Sequence, residues 1–512
     1  MMRLAEIVAV SQSVAETSGR LQKIDRLAAL LTQLAPDEIE IAVAFLTGST
    51  RQGRIGVGFT ALASVARDVP PAASAALDLH DVDEAFGRVA ASAGAGSAGA
   101  KAQTLRDLFG RATRDEQAFL ARVLFSELRQ GALEGVLLEA VARASGIAAA
   151  RVRRAAMLAG ALAPVARAAL AHGAGPDALS RFTFHVFQPV QPMLAESAAG
   201  VDAALADLGE ASLEYKLDGA RVQVHKAGDQ VHVFSRNLRD VTAAVPEVVA
   251  LARALPAREI ILDGEAIAIG PDGTPLPFQI TMRRFGRKRD VESLRRELPI
   301  TPVFFDVLYL DGQALVDEPH GRRIAALGEQ VPVRWLVPRI VTSCPDEAAA
   351  FLQRSIDAGH EGVMAKAVSG VYAAGRRGQA WLKVKHVRTL DLVVLAAEWG
   401  HGRRRGTLSN LHLGARNAER GGFVMLGKTF KGLTDEVLAW QTRRLLELEI
   451  ARDAGTVYVR PELVVEIAFN DVQASPQYPG GVALRFARVK RYRPDKPAAG
   501  ADTLAAVQQL AP

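Results

Sequence analysis

The segment Leu213-Glu-Tyr-Lys-Leu-Asp-Gly-Ala-Arg221 carries more chemical information than any other stretch of this chain. Side chains alternate between the two faces of an extended strand, so Glu214, Lys216 and Asp218 are expected on one face. An amine between two carboxylates, just before Gly219 ends the strand, is typical of a nucleophile held beside a nucleotide. A lysine must lose its proton before it attacks, and its ordinary pKa is about 10.4, so such a site has to favour the neutral amine. A salt-bridged surface lysine would show the same local pattern, and the rest of the chain has to decide between the two.

Length and composition limit the possible classes of protein. The chain has 512 residues, of which 49% are hydrophobic, and about three domains are expected from this length. The single cysteine, Cys344, excludes a disulfide framework and a four-cysteine zinc site, and it predicts a reducing, cytoplasmic setting. We expect no signal peptide, because Met1-Met-Arg-Leu-Ala-Glu6 has an early acid and no long apolar core. We expect no membrane contact, because four arginines interrupt the most apolar stretch, residues 148–171. The net charge of +6 favours an anionic partner.

The first region, residues 1–185, is rich in alanine and leucine with helical periodicity. The clearest helical patterns are Ile24–Leu34 and Glu116–Leu128, and proline- or glycine-rich stretches such as residues 94–99 are read as loops. This region is predicted to be an all-helical domain.

Two regions with strand patterns follow. Residues 186–389 contain short alternating runs, such as those at 222–225 and 231–234, between helical segments such as Glu347–Ala358, and predict an α+β domain. Residues 390–512 contain further strand-like runs and one helix, near Asp435–Ile450, and predict a small β-barrel with a helical insert. The fold class is therefore a multidomain chain with an all-α, an α+β and a β-barrel part.

Polar clusters recur at the ends of the predicted strands. In Trp381-Leu-Lys-Val-Lys385, alternation places Lys383 and Lys385 on one face while Leu382 and Val384 pack inward. Any one such cluster is most often a solvated charge or a turn, but an ordered series in one chain indicates a nucleotide site. The series comprises Ser235-Arg236, Asp263-Gly-Glu265, Phe305-Asp306, Glu361-Gly362, Lys383-Val-Lys385 and Arg493-Pro-Asp-Lys496.

Together with Lys216-Leu-Asp-Gly219, this series closely resembles the ATP-dependent DNA ligases of the covalent nucleotidyltransferase superfamily. The resemblance covers residues 186–496 with strong motifs and extends less strongly to Gly131 and to Pro192-Met-Leu-Ala195. It implies an N-terminal DNA-binding domain (1–185), a nucleotidyltransferase domain (186–389) and a C-terminal OB-fold domain (390–512).

The resemblance also implies a chemistry and a set of site residues. ATP would transfer AMP to Lys216, AMP would pass to the 5′-phosphate at a nick, and the 3′-hydroxyl would displace it. Glu265 and Glu361 would hold ribose and a divalent cation, Mg²⁺. The resemblance further implies that Glu214 contacts the adenine amino group and that Phe305 stacks on adenine. The other implied nucleotide contacts are Arg221, Arg236, Arg377, Lys383 and Lys385. Arg376 is adjacent to Arg377, so that assignment is open by one position.

Other classes of protein share parts of this pattern. An NAD⁺-dependent ligase normally has a four-cysteine zinc module, which a single cysteine excludes, and an mRNA capping enzyme has little sequence before its lysine. An RNA ligase is the closest enzymatic alternative. An inert nucleic-acid-binding module would explain the charge but not the ordered motifs.

The expected partners are ATP and nicked double-stranded DNA. Residues 391–512 contain 17 Lys and Arg against 13 Asp and Glu, so +4 of the net +6 lies there. The three arginines Arg403-Arg-Arg405, which lie between two glycines, either bind phosphates of the DNA or form a solvated surface loop. We expect the protein to act as a monomer.

Overall fold

The computed structural model describes residues 1–53, 55–94, 96–125, 128, 134–171, 175–271, 273–286, 291–373, 377–385 and 388–510. The alanine- and leucine-rich first region is helical, as predicted, and most of its buried residues form one apolar cluster. Its helices are α1 (Leu4–Glu16), α2 (Arg20–Leu31), α3 (Ile39–Leu46), α4 (Phe59–Asp68), α5 (Leu79–Ala91), α6 (Ser97–Arg111), α7 (Arg114–Leu124), α8 (Glu134–Ser145), α9 (Ala149–Ala159) and α10 (Leu162–Leu170).

Two boundaries in this region differ from the prediction. The tract at 94–99 is not wholly a loop, because α6 begins at Ser97, directly after Gly96, whose φ of 81° breaks the chain direction. The helix predicted to reach Leu128 ends at Leu124. Alanine has the highest helix propensity, and the alanines from residue 98 onward extend the helix into the glycine-containing tract.

The middle region contains two five-stranded sheets with helices packed on them. The first sheet has the order β1 (Leu194–Ser197), β10 (Arg377–Lys385), β9 (Gly362–Ala367), β2 (Ala211–Tyr215) and β8 (Arg339–Thr342). The second has the order β4 (Gln230–Ser235), β3 (Ala220–Ala227), β5 (Glu259–Ala268), β6 (Ile300–Leu310) and β7 (Gln313–Ala314). The helices are α11 (Val201–Leu208), α12 (Pro246–Arg253), α13 (Phe278–Gly286), α14 (Val291–Glu297), α15 (His320–Gln330) and α16 (Pro345–Asp357).

The strand carrying the Lys216 motif passes from one sheet to the other. β2 lies in the first sheet and β3 in the second, so the intervening residues 216–219 cross between them. The strand predicted to run to Gly219 therefore ends at Tyr215. The side chains after Tyr215 are placed by this crossing and not by the twofold alternation of a strand.

The last region contains a seven-stranded antiparallel sheet, a two-stranded sheet and one long helix. β11 (Arg388–Trp399) is central and pairs with three strands, β12 (Leu408–Arg416), β15 (Thr456–Val459) and β16 (Val464–Phe469). The remaining elements are β13 (Phe423–Thr429), α17 (Asp435–Glu447), β14 (Glu449–Arg452), β17 (Asp471–Ala474), β18 (Val482–Arg485), β19 (Arg488–Tyr492) and α18 (Leu504–Gln508). The predicted helix to Ile450 is wrong at its end, because residues 449–452 pair with β15 as β14.

The helical region contacts the middle region through buried side chains. Met157 and Leu158 of α9 share an apolar cluster with Val190, Ile261 and Trp381. Burial of this kind is favourable by roughly 25 cal/mol per Å² of apolar surface, so this contact stabilises the association of the two regions. The division of the chain at residues 185 and 389 stays a prediction.

No helix in the described part of the chain combines the length and the apolar character needed to cross a bilayer.

Candidate nucleotide site

The two sheets of the middle region enclose a cleft of about 730 Å³. The β2–β3 crossing, β5, β6, β9 and β10 line it, and two barrel residues, Arg485 and Phe486, reach it as well. Of the predicted site residues, all but Arg377 line this cleft: Glu214, Lys216, Arg221, Arg236, Glu265, Phe305, Glu361, Lys383 and Lys385. The side chain of Arg377 lies outside the described residues, as do Gly131 and Arg376.

Lys216 lies at the first position of the crossing. Its backbone N–H donates to the Gly362 carbonyl at 2.8 Å, and its carbonyl accepts from the Glu361 N–H at 3.1 Å. These bonds tie the crossing to the start of β9 and fix where the lysine side chain begins. The amine forms an ion pair with Glu361, and its side chain is 18% exposed. The carboxylate beside the Lys216 amine is thus Glu361, which the alternation of the Lys216 segment did not indicate.

Gly219 is required by a close approach between the crossing and β5. A Cβ atom at this position would lie 2.5 Å from the Ala266 carbonyl oxygen and 2.5 Å from Ile267 Cγ2. Both distances are shorter than real Cβ contacts, and the first involves backbone that cannot rotate away. The glycine of the motif therefore lets residues 216–219 lie flat against the second sheet.

Cations gather at the end of the cleft near Lys216. Leu382 and Val384 are buried, while Lys383 and Lys385 line the cleft, which confirms the predicted alternation of β10. Lys385 Nζ lies 2.9 Å from Glu361 Oε2, so Glu361 links two amines. Burial raises the pKa of Glu361, but Lys216 and Lys385 overcome this effect and hold it below its usual value. Positive charges this close would stabilise a phosphate placed beside Lys216.

Arg221 is held in a fixed orientation. Its guanidinium donates to both carboxylate oxygens of Asp263, at 3.0 and 2.7 Å, and to the Met193 carbonyl at 2.7 Å. Its charge lies over the Phe305 ring, with Arg221 Cζ 5.5 Å from the centroid. The hydroxyl of Tyr372 donates to the same Asp263 carboxylate at 2.7 Å. Arg221 therefore contributes a rigid positive charge to the cleft wall, with most of its donors already engaged.

Glu265 and Glu361 are the two carboxylates predicted to hold a divalent cation. Burial raises the pKa of Glu265 to about 7, although Lys216 and Arg221 oppose this effect. Glu361 Oε2 already contacts the amines of Lys216 and Lys385. A bound cation would favour the ionised form of Glu265. Among the described residues, no group of three or more His, Cys, Asp or Glu could hold a metal.

Another part of the cleft, here called the aromatic end, is lined by aromatic rings and a buried ion pair. Lys366 Nζ lies 2.5 Å from Glu214 Oε2, and it lies 4.5 and 4.2 Å from the ring centroids of Phe305 and Trp381. Lys366 therefore lies among the aromatic rings of the cleft. Burial raises the pKa of Glu214, but Lys366, Arg339 and His320 together lower it to about 2. This end could hold a flat base between aromatic and charged groups.

The motif Arg493-Pro-Asp-Lys496 lies on the barrel and outside the cleft. Arg493 Nη1 and Lys496 Nζ contact Asp391 Oδ2 at 3.0 and 2.7 Å, and Arg493 Nη2 also contacts Asp495 Oδ2 at 2.8 Å. The barrel instead presents Arg485, whose Nη1 is 3.7 Å from Asp218 Oδ2. In this arrangement, the cations of the motif are neutralised on the barrel itself.

Several cleft residues were not predicted as site residues from the sequence. Trp381 was named only as part of a strand, and Arg485 was not among the predicted site residues. His320 and Arg339 do not line the cleft but contact Glu214, and they have no motif around them. Their only available signal was the presence of basic residues near buried strands, which is too common to be informative.

Comparison with family models and known proteins gives matches along the chain. A model described as ATP dependent DNA ligase domain matches residues 192–385, one described as ATP dependent DNA ligase C terminal region matches residues 404–496, and one described as DNA ligase N terminus matches residues 57–142. The chain is 58% identical over 510 residues to a protein named "Probable DNA ligase" from Anaeromyxobacter sp. (strain Fw109-5), with 99% of this chain and 98% of the relative covered. A "Probable DNA ligase" from Sorangium cellulosum (strain So ce56) is 56% identical over 509 residues, with 99% of this chain and 95% of the relative covered.

A solved structure gives a match in fold. The structure described as "Pmar-Lig_PreS3" has a TM-score of 0.61 at 18% sequence identity, and the match covers 95% of this chain and 99% of that one. This likeness extends over the helical, α+β and barrel regions, and the predicted fold class is confirmed.

Proposed function

The chain belongs to the ATP-dependent DNA ligases, which form phosphodiester bonds through a lysine–AMP intermediate, and on this premise we propose that Lys216 is the lysine that carries AMP. The observation that supports this role is the position of the Lys216 amine in the cleft, paired with Glu361 and close to the cations of β10. Family membership also removes the alternatives of an RNA ligase and of an inert nucleic-acid-binding module.

The arrangement supports attack on the α-phosphorus of ATP. The neutral Lys216 Nζ forms a bond to phosphorus while the bond from phosphorus to the pyrophosphate oxygen breaks, and pyrophosphate leaves. Negative charge spreads over the phosphate oxygens in this step, and Lys383, Lys385 and the exposed Arg236 are positioned to neutralise it. The 5′-phosphate at a nick then takes AMP from Lys216, and the 3′-hydroxyl displaces AMP from that phosphate and closes the strand.

The base of ATP is assigned to the aromatic end of the cleft. Phe305 would stack on adenine, and Glu214 would accept a hydrogen bond from its amino group. The contacts of Lys366 with both Glu214 and the Phe305 ring support this assignment, because they bring the two groups to the same end of the cleft.

Glu265 and Glu361 would hold Mg²⁺ together with phosphate oxygens and water. Mg²⁺ is usually bound through one or two carboxylates plus substrate phosphates, which agrees with a pair of carboxylates in a phosphate-binding cleft. The bound ion would supply positive charge to the phosphate oxygens. The elevated pKa of Glu265 means that its ionised form is favoured only when such a charge is present or the pH is above about 7.

We assign the DNA contacts to the helical region and the barrel. The barrel reaches the cleft through Arg485 and Phe486, so a duplex bound across it would pass close to Lys216. The absence of any base-reading motif in the sequence is what an enzyme that seals any sequence requires. The monomeric state and the cytoplasmic location stay predictions.

Labelling with α-³²P-ATP tests the role of Lys216. Lys216→Ala should abolish the covalent AMP adduct and the sealing of nicked duplex DNA, and Lys216→Arg should not restore either, because a guanidinium stays protonated. Lys101→Ala, on α6 in the helical region, serves as the control and should keep wild-type labelling. A Lys216→Ala protein that is labelled as strongly as the wild type would refute the assignment.

A further inference from the structure

Glu214 lies at the aromatic end of the cleft with three basic side chains around its carboxylate. Lys366 on β9 has its Nζ 2.5 Å from Oε2, Arg339 on β8 has its Nη2 2.9 Å from Oε1, and His320 at the start of α15 has its Nε2 3.5 Å from Oε1. The Glu214 side chain itself is 2% exposed. An ionised carboxylate only accepts hydrogen bonds, whereas a protonated one also donates. The surrounding charges therefore decide which kind of ligand group Glu214 can bind.

The three basic residues are not equivalent. Lys366 lines the cleft and would contact the base itself, whereas Arg339 and His320 do not line the cleft and reach the ligand only through Glu214. Arg339 also donates from Nη2 to the Phe305 carbonyl at 3.3 Å, which ties it to the strand that carries the stacking ring.

His320 is oriented by a second buried ion pair. Arg323 donates from Nε and Nη2 to Asp306, at 2.8 and 3.0 Å, and its Nη2 lies 3.3 Å from His320 Nδ1. Because a guanidinium has no acceptor, Nδ1 of His320 accepts this bond and Nε2 carries the proton. That proton faces Glu214. All four side chains are almost completely buried, so this orientation is protected from solvent.

We propose that Arg339 and His320 are positioning residues that keep Glu214 an obligate hydrogen-bond acceptor and thereby select a purine with an amino group at C6. This inference rests on the proposed function, which places the base of ATP at Glu214. Adenine presents an N–H donor there. Hypoxanthine and guanine present a carbonyl oxygen, so two acceptors would face each other in a buried site. A site built around one hydrogen-bond type rejects a ligand of the opposite type strongly, because buried groups are left without partners.

The probe is ITP, which has a carbonyl oxygen at C6 where ATP has the amino group and is otherwise closely similar. Single-turnover AMP and IMP transfer to Lys216 gives kcat/KM for each nucleotide. We expect the wild type to prefer ATP by on the order of a hundredfold or more. Arg339→Gln should reduce the ATP/ITP ratio about tenfold, which corresponds to one charge-assisted hydrogen bond. The matched control Arg339→Lys keeps the charge and should retain most of the ratio.

A second pair of variants tests His320 in the same assay. His320→Leu removes the donor to Glu214 and should also lower the ATP/ITP ratio, whereas His320→Gln can still donate from its amide and should keep it. Because His320 is completely buried, its leucine variant could be destabilised. The Arg339 pair, with an 18% exposed arginine side chain, carries the test in that case.

The pH dependence of the ATP/ITP ratio distinguishes a positioning role from a purely structural one, because a purely structural role would not change it. The pKa of Glu214 is about 2 with Lys366, Arg339 and His320 in place, so the wild-type ATP/ITP ratio should be flat from pH 8 to pH 6. In Arg339→Gln, fewer donors oppose the effect of burial on the pKa of Glu214. Its pKa rises, and the ratio should fall as the pH is lowered. Asp306, which faces His320 and not Glu214, is held ionised by Arg323 in both proteins.

The outcomes separate this inference from the proposed function. If ATP does not label Lys216 in the wild type, the proposed function fails. If ATP labels Lys216 but ATP and ITP efficiencies fall in parallel in Arg339→Gln, the two residues only stabilise the fold and this inference is overturned. A wild type that uses ITP as well as ATP would also overturn it.

Discussion

Glu265 allows a test of the cleft that needs neither ATP nor DNA. Burial raises the pKa of its carboxyl group from 4.5 to about 7 in the folded protein. Between these two pH values the folded protein binds a proton that the unfolded chain has released. The free energy of unfolding therefore falls as the pH rises through this window, and the stability associated with the raised pKa is fully present only below pH 4.5.

The size of the effect follows from the shift in pKa. The shift from 4.5 to about 7, at 1.36 kcal/mol per pKa unit, gives about 3 kcal/mol as an order of magnitude, most of it between pH 5 and pH 8. Glu265→Gln cannot titrate and keeps nearly the same shape. We expect it to lose this component of the pH dependence and to be more stable than the wild type at pH 8, while its AMP transfer falls because a metal-binding oxygen has been replaced.

The assay is urea unfolding at pH 5, 6, 7 and 8 in nucleotide-free buffer with a metal chelator. Trp335 and Trp381 lie in the middle region and report its unfolding through fluorescence. Glu210→Gln replaces an exposed carboxyl group of the same region and serves as the control, with a pH profile parallel to that of the wild type. Mg²⁺ should reduce the pH dependence of the wild type and leave that of Glu265→Gln unchanged. If the wild type and Glu265→Gln have parallel profiles without metal, the electrostatic reasoning for this residue is wrong.

Two further predictions concern ion pairs away from the nucleophile. Arg493→Ala or Lys496→Ala should slow AMP transfer to Lys216 far more than the sealing of a pre-adenylylated nick. These cations lie outside the cleft in this arrangement, and we expect the barrel to turn and present them to the pyrophosphate during AMP transfer; equal losses in both steps would contradict this division. Asp306→Asn leaves Arg323 buried without a carboxylate and should lower the free energy of unfolding by about 3–5 kcal/mol, measured with urea. The double variant Asp306→Leu/Arg323→Met removes both charges and should lower the free energy of unfolding less than Asp306→Asn does. A larger decrease in the double variant would show that the ion pair itself stabilises the fold.

Local sequence was sufficient for much of the fold and of the cleft. In β10 the alternation of Lys383 and Lys385 with buried Leu382 and Val384 is a property of any strand with one face in a core, and it was predicted correctly. The resemblance of the ordered motifs to a family identified nine of the side chains that line the cleft. Element ends were less predictable. The alanines after Gly96 extend α6 into the predicted loop, and the pairing of residues 449–452 with β15 ends α17 earlier than predicted.

The sequence by itself thus determined the candidates for the chemistry: a lysine, two carboxylates, several cations and an aromatic ring. Only the tertiary structure decided which of them meet. Lys216 pairs with Glu361 and not with a neighbour in its own segment, because β2 ends at Tyr215 and the crossing to β3 is tied to the start of β9. Glu214 meets Arg339 because the register of β2 with β8 places these two residues opposite each other, and His320 approaches it from α15. Twofold alternation along a strand predicts the face on which a side chain lies. The residue opposite it depends on the register of the neighbouring strand, which is set by contacts far apart in sequence.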